Sequence, residues 1–300
     1  MATLFLYSCQ SLKTRSQVSS GTMSPPSATA TTPSVDSGVE TEAPVPSATS
    51  DVVLREPPRI GVILSAGGAK TLASLQVFRD LQAAKIPIHS VAGIEMGAYA
   101  AALFARNKLP NDLDWQFSKL ENINWASESG RESLLKLISL AWGQENIDQL
   151  KAPFACPSVH LGRQQKYVLA KGQVKQALSY CLPYWPLFTP FDSSVAGLNE
   201  VKSLVDYLRS RGANYIIFVN FLSSDTRTPR AFTRKFDTAE NSAWVEASIS
   251  YRNLIGVDYS LVIDTDSYGI MNFDKKREIM GLGQEPTQKM IKHLQNKFGL

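Results

Sequence analysis

The fold is decided by residues 59–106, which have the sequence RIGVILSAGGAKTLASLQVFRDLQAAKIPIHSVAGIEMGAYAAALFAR. The stretch from Arg59 to Leu64 is a short, nearly continuous apolar run, and such a run is typical of a strand buried on both faces. A glycine-rich turn follows at residues 65–70. Residues 71–85 then place apolar side chains at helical intervals, so the first unit is predicted to be strand, turn and helix.

A second unit of the same kind follows directly. Residues 90–92 predict a strand that leads into Gly93-Ile-Glu-Met-Gly97, and residues 98–105 are rich in helix formers and apolar all round. Two strand–helix units in succession predict an α/β fold with a parallel sheet. Apolar periodicity predicts further strands at 155–161, 166–170, 215–221 and 259–264, and helices at 112–120, 131–141, 201–211, 239–254 and 273–298.

The composition describes a globular chain with a mild positive charge. Hydrophobic residues make up 44% of the 300 residues and charged residues 19%, which is enough for one large domain. The net charge is +4, and because residues 1–57 contain three basic and five acidic side chains, the remainder carries +6. No dense block of Lys and Arg is present, so we expect no nucleic-acid partner.

The chain divides into three parts by composition. Residues 1–15 contain Leu-Tyr-Ser before Cys9, which resembles the lipidation site of bacterial lipoproteins, although a ragged terminus with a chance cysteine is the alternative. Residues 16–57 are a Ser-, Thr- and Pro-rich stretch that predicts a disordered linker. Residues 58–300 form the globular domain. This order predicts a domain in the bacterial cell envelope, lipid-anchored through Cys9 or periplasmic, with a cytoplasmic location as the alternative.

The three cysteines predict no disulfide framework, and they leave the redox compartment open. We expect Cys156 and Cys181 to be buried small apolar residues. No run reaches the roughly 18 apolar residues that a membrane-spanning helix needs. The sequence therefore predicts a domain that does not span a bilayer.

Residues 59–106 closely resemble the first stretch of patatin-like phospholipases. The resemblance implies a three-layer fold in which a mainly parallel central sheet is flanked by helices. It also implies that the loop Ala66-Gly67-Gly68-Ala69-Lys70 and Met96 supply the backbone amides of an oxyanion hole. A weaker resemblance continues to the C-terminus.

The sequence differs from the family at the position of the nucleophilic serine. The family has a Gly-x-Ser-x-Gly elbow, and Gly93 and Gly97 match its glycines while Glu95 stands at the serine position. A carboxylate is a poor substitute, because its attack on an ester forms a mixed anhydride and its longer side chain occupies the space of the acyl group. Glu95 also begins a helix, and the helix dipole is expected to stabilise its charged form.

The catalytic Asp of the family is missing as well. Alignment through residues 204–219, which match the family's helix, turn and strand, puts Ala196-Gly197 where the family has Asp-Gly. A gapped alignment would move Asp192 into this role, but Ser193 and Ser194 would then replace both glycines. Loss of both nucleophile and base predicts a pseudoenzyme with no intact catalytic residue.

Three functions follow from this interpretation. The first is a catalytically inactive module that binds a lipid, a fatty-acyl ligand or a protein partner through the former active-site cleft. The second is an acyl hydrolase or esterase of altered mechanism, in which Glu95 acts as a general base on water. The third is a structural envelope protein whose cleft is filled. None of them needs a cofactor.

The remaining polar and aromatic residues show no site pattern. His89, His160 and His293 lack metal-ligand spacing, so we expect no metal site. Aspartates at 258, 264 and 266 are predicted to be solvated strand ends, and lysines at 275, 276, 289, 292 and 297 with Arg277 a solvated helix surface. Trp185, Phe188 and Phe191 line an acyl pocket, a partner groove or the core.

Overall fold

The computed structural model describes residues 57–124, 128–184, 187–222 and 239–300, without the side chains of 128–131 and 239–241. Cys9 and the predicted linker lie outside these ranges. The strands are β1 Ile60–Leu64, β2 Ile88–Gly93, β3 Phe154–His160, β4 Gln165–Leu169, β5 Ser194–Ala196, β6 Tyr215–Asn220 and β7 Tyr259–Val262. The helices are α1 Ser74–Ala83, α2 Met96–Asn107, α3 Pro110–Leu120, α4 Glu128–Trp142, α5 Val174–Cys181, α6 Val201–Ser210, α7 Ala239–Ser250, α8 Lys276–Gly281 and α9 Gln284–Phe298.

The described strands form one seven-stranded sheet. Six of them follow the order β4-β3-β2-β1-β6-β7, and β5 pairs with β3 outside this order. Strand β1 pairs in parallel with both β2 and β6, and β7 pairs in parallel with β6. Strand β3 is parallel to β2 at Phe154 and Ala155, and beyond them it pairs antiparallel with β4 and β5. The mainly parallel sheet predicted from residues 59–106 is therefore confirmed.

Apolar side chains fill the space on both faces of the sheet. On β1, Ile60, Val62 and Leu64 belong to one core cluster, whereas Ile63 belongs to a second. The first cluster includes side chains of α1, α2 and α9, and the second includes those of α6 and α7. Helices thus cover both faces, which confirms the three-layer α/β arrangement. Within the described ranges, no helix is long and apolar enough to cross a membrane.

The single helix predicted at 273–298 is wrong. The chain forms a 3-10 turn at Phe273–Lys275, then α8, and it breaks at residues 282–283 before α9. The break lets Gly283 approach the body of the domain, since a β-carbon there would lie 3.0 Å from the carbonyl oxygen of Ala73. Lys276 is not on a solvated surface: it is buried and pairs with Asp114 at 2.7 Å.

The expectation of two separate cysteines is also wrong. Cys156 of β3 and Cys181 of α5 form a disulfide, with their Cα atoms 6.0 Å apart. Both residues are buried, as expected. The spacing of 25 residues gave no indication of the bond, because only the antiparallel part of the sheet brings α5 over β3. The disulfide therefore joins a helix to the strand it covers.

The two elbow glycines are required by close backbone approach. A β-carbon on Gly93 would lie 2.1 Å from the carbonyl oxygen of Gly97, and one on Gly97 would lie 2.4 Å from that of Ser65. Neither neighbour can move easily, since both contacts are to backbone. The glycines allow the start of α2 to sit directly against the end of β1.

Replacing Gly97 with alanine should destabilise the domain by about 3 kcal/mol, because the new methyl group overlaps the Ser65 carbonyl. Gly281, in α8, is the matched control, since nothing lies within 4 Å of its β-carbon position. Gly281→Ala should stabilise by up to about 1 kcal/mol through helix propensity. Urea unfolding of the three proteins measures both changes. Equal effects of the two substitutions would contradict the close packing at the elbow.

Candidate functional site

The elbow residue and the glycine-rich loop meet at the ends of β1 and β2. Glu95 lies between β2 and α2 with φ of 52° and ψ of −127°, a conformation rarely adopted by residues other than glycine. Its side chain points to the loop, where the amides of Gly67 and Gly68 donate to Glu95 Oε2 at 3.2 and 2.9 Å. The carboxyl group therefore occupies the two loop amides that the family resemblance assigns to an oxyanion.

Glu95 is completely buried, and this burial controls its charge. Burial raises the pKa of the Glu95 carboxyl to about 7, although the amides of Gly68, Met96 and Gly67 act in the opposite direction. Its Oε1 atom is buried without a hydrogen-bond partner among the described residues. The expectation that the helix start would stabilise the charged form is wrong overall, because the desolvation cost is larger than the contribution of the amides.

The rest of the loop is held by a segment that follows β7. Gly68 has φ of 54°, and a β-carbon there would lie 2.3 Å from the carbonyl oxygen of Ile270. The amide of Ala69 donates to that same oxygen at 2.8 Å. Ile270 therefore provides a second contact that holds the loop, in addition to Glu95. No sequence pattern predicts this contact, since Ile270 lies about 200 positions away in the chain.

Lys70 lies one turn further along the loop and is also buried. Burial lowers the pKa of the Lys70 ammonium to about 8, while the charges of Asp266 and Asp264 act to raise it. These aspartates are therefore close enough to act on the charge of Lys70, and Asp264 is exposed, as the sequence predicted for a solvated strand end. No group of three or more His, Cys, Asp or Glu residues in the described ranges is arranged to hold a metal ion.

The position of the family's catalytic Asp is occupied by apolar packing. Ala196, at the end of β5, is buried in the cluster that contains Ala66 and Ile94, and its amide donates to the Pro183 carbonyl at 2.7 Å. Asp192, the alternative candidate, lies in an exposed turn. The structure thus brings Ala196, and not Asp192, into the buried surroundings of the elbow.

Tyr251 is the buried polar residue that the sequence interpretation missed. Its hydroxyl donates to the carbonyl of Leu198 at 2.6 Å. Burial raises the pKa of the Tyr251 phenol, the Ala66 amide opposes this rise, and the charge of Glu95 adds to it. Tyr251 thus connects the segment after β5 with the glycine-rich loop. No motif marks it, because it comes from the residue just after α7.

The remaining candidates are dispersed. The ring of His89 contacts the Arg211 carbonyl at 2.9 Å, His160 accepts from the amide of Arg163, and His293 lies 3.4 Å from the Tyr215 hydroxyl. The three histidines thus belong to different parts of the domain.

The aromatic residues before β5 have different surroundings. Phe188 packs in the first core cluster, whereas Phe191 is 46% exposed. Trp185 lies outside the described residues.

The buried carboxyl of Glu95 should make stability depend on pH. Because its pKa is raised from 4.5 to about 7 on folding, its stabilising contribution is full below about pH 4.5 and is lost as the pH rises to about 7. Glu95→Gln should remove this loss. The free energy of unfolding of the variant, relative to that of the parent, should therefore rise by roughly 2–3 kcal/mol between about pH 5 and pH 8. Urea unfolding at both pH values measures the gain.

Glu285 provides the matched control for that measurement. It is exposed, and its pairing with Lys289 lowers the pKa of its carboxyl below the usual value, so Glu285→Gln should show no gain over this range. If the difference in unfolding free energy between Glu95→Gln and the parent were the same at both pH values, Glu95 would titrate as an ordinary exposed carboxyl group does.

Curated relatives share sequence with most of this chain. Lysophospholipase NTE1 of Chaetomium globosum is 23% identical over 284 residues, which covers 80% of this chain and 19% of that protein. Lysophospholipase nte1 of Neurospora crassa is 22% identical and covers 79% of this chain and 18% of its own length. The chain thus spans about one fifth of the length of these relatives. No protein-family model matches it.

Among solved structures, a chain in the complex of SpcU with ExoU from Pseudomonas aeruginosa is 15% identical and covers 81% of this chain and 53% of its own length. The TM-score of this superposition is 0.41. The glycine-rich loop, the elbow glycines Gly93 and Gly97, the three-layer fold and the similarity to lysophospholipases together support a relationship to patatin-like phospholipases.

Proposed function

We propose that this protein is a catalytically inactive patatin-like module with a lipid-related role. One observation carries the proposal: the carboxyl group of Glu95 sits on the amides of Gly67 and Gly68. In an acyl hydrolase, such amides must be free to donate hydrogen bonds to the oxygen that becomes negative in the transition state. Here an atom of the protein itself already holds them.

The loss of the nucleophile acts together with this occupation. Removal of a nucleophilic serine typically costs about a millionfold in turnover, even when the oxyanion hole is left intact. In this chain the serine is replaced by Glu95, and Ala196 can neither accept a proton nor orient a nucleophile. The nucleophile and the base are therefore missing, and the amides of the oxyanion hole are occupied by Glu95.

Hydrolysis with Glu95 as a general base is the second candidate. The pKa of about 7 favours it, because a general base works best when its pKa is near the working pH. Against it, Glu95 is completely buried and its Oε2 atom is already hydrogen-bonded. A substrate and a water molecule would both need access to Oε1, the unpartnered oxygen.

A lipid, a fatty-acyl chain or a protein partner could bind through the former cleft only if the residues that cover the glycine-rich loop moved. We call Leu187 and Ile270 this cover. The backbone of Ile270 lies directly over Gly68, and the side chain of Leu187 approaches the same position. The lysophospholipase names of the relatives support a lipid as the ligand class. A structural role with a permanently filled cleft is the limiting case in which the cover does not open.

We also propose that the domain lies in the bacterial cell envelope, tethered to a membrane through a lipid on Cys9. The Ser- and Pro-rich stretch at 16–57 has the composition of a flexible tether. The disulfide between Cys156 and Cys181 adds a second argument, because disulfides persist mainly in oxidising compartments outside the cytoplasm.

Assays with short-chain and phospholipid esters test inactivity. The parent protein should show no turnover above background, and Glu95→Gln should be the same. Glu95→Ser combined with Ala196→Asp should gain measurable esterase activity, because the serine frees the loop amides and the aspartate restores the base. Glu95→Ala with Ala196→Asp is the control that lacks the hydroxyl group.

Turnover by the parent protein that disappears in Glu95→Gln would overturn the proposal in favour of the general-base mechanism. Since Ala196→Asp places a carboxylate in an apolar cluster, the melting temperature of each variant must be measured alongside. The comparison of the parent with Glu95→Gln does not depend on that variant folding.

Thiol labelling in cells tests the compartment. In cells quenched with acid and denatured without reductant, Cys156 and Cys181 should resist maleimide, and both should react after reduction. Expression confined to the cytoplasm should leave both thiols reactive from the start, because the cytoplasm keeps thiols reduced. Reactive Cys156 and Cys181 in the native host would argue against an oxidising compartment.

A further inference from the structure

Strand β7 lies at one end of the sheet and has an open edge. In the described part of the chain it pairs only with β6. The amide of Ile263 donates to the carbonyl of Asn220 at 3.0 Å, and in a parallel ladder every second residue of a strand bonds to the same neighbour. Leu261 therefore also faces β6, whereas the N–H and C=O groups of Ser260 and Val262 point to the open side.

A groove of about 580 Å³ runs along this edge, and we call it the β7 groove. It is lined by all four residues of β7, by Tyr251 and Arg252 after α7, and by Glu285, Pro286 and Lys289 at the start of α9. Helices α7 and α9 cover opposite faces of the sheet. A groove with walls from both layers must open beyond the last strand, where the outward backbone groups of β7 lie.

The side chains of β7 do not protect this edge. Edge strands commonly carry charged residues or proline, which hinder pairing with another chain. Strand β4, at the opposite end of the sheet, has this protection, because it carries Lys166, which pairs with Glu200 at 2.6 Å. Strand β7 has the sequence Tyr259-Ser-Leu-Val262, without a charge or a proline. Its backbone is therefore available to an added strand of similar length.

The two walls of the β7 groove differ in charge. On the α7 side, Arg252 is exposed and forms no ion pair with a described residue. On the α9 side, Glu285 neutralises Lys289 at 2.8 Å, and Pro286 adds apolar surface. Successive side chains of a strand point to opposite faces of a sheet. An added strand would therefore place every second side chain beside Arg252 and the others beside the α9 wall.

We propose that the β7 groove binds an extended, acidic segment of a partner protein as an added strand. The backbone of the segment hydrogen-bonds to Ser260 and Val262, an acidic side chain contacts Arg252, and the alternate side chains pack on Pro286. In this mode of recognition, main-chain hydrogen bonds supply affinity and side-chain contacts supply specificity. The contact does not use the Glu95 carboxyl group, so it is independent of whether this protein hydrolyses esters.

Fluorescence anisotropy tests the groove with the full chain and a labelled peptide of about six residues in which valine and glutamate alternate. The parent should bind this peptide about tenfold more tightly than a peptide in which valine and lysine alternate. Val262→Pro should abolish binding, because proline removes the outward N–H while the bonds of Leu261 and Ile263 to β6 remain. Val262→Thr keeps this N–H and should bind as the parent does.

A second pair of variants tests the charge. Arg252→Gln should weaken binding of the acidic peptide about fivefold and remove most of the preference between the two peptides. Arg277→Gln is the matched control, since Arg277 is exposed on α8 and does not line the groove. Hydrogen exchange of the parent needs no variant: the acidic peptide should slow exchange at the amides of Ser260 and Val262.

Equal binding by Val262→Pro and Val262→Thr would overturn the proposal. So would equal binding of the acidic and basic peptides by the parent, failure to bind either, or unchanged exchange at Ser260 and Val262. Sedimentation distinguishes the other occupant of the groove. A parent dimer that becomes a monomer in Val262→Pro would assign the groove to a second copy of this chain, and this result would also overturn the proposal.

Discussion

The site depends on one contact, in which the Glu95 carboxyl group accepts hydrogen bonds from the amides of Gly67 and Gly68. The contact joins the loop after β1 to the turn after β2, and both segments are completely buried. It also has a cost, because a carboxyl group in these surroundings holds its charge poorly and its pKa is raised to about 7. The same contact holds the loop against the elbow, and under the proposed function it also keeps the two amides from donating to a ligand oxygen.

The surrounding backbone is consistent with this single contact. Gly93 and Gly97 let the start of α2 approach the end of β1, and Gly68 lets the backbone of Ile270 approach the loop. Each glycine faces a backbone atom, so a side chain at any of these positions would force the main chain to move. The elbow glycines thus allow close backbone packing, and Glu95 is the residue presented between them.

The segment that would carry a catalytic aspartate has become part of the core. Ala196 packs among apolar neighbours, and the hydroxyl of Tyr251 holds the following residues through the Leu198 carbonyl. A buried phenol with a raised pKa stays neutral and can donate one hydrogen bond. It therefore supports the structure around the elbow and does not act as a base.

The sequence by itself determined the parallel sheet, the elbow glycines and the carboxyl group between them, because these features rest on local patterns: an apolar strand, close glycines and the residue type at position 95. Only the tertiary structure decided the ionisation of Glu95, the role of Tyr251, the Cys156–Cys181 disulfide and the break before α9. Each of these depends on burial or on contacts between segments far apart in the chain, which no local period records. The free energy of a buried charge is set by everything packed around it, so it could not be predicted from the residues beside it in the sequence.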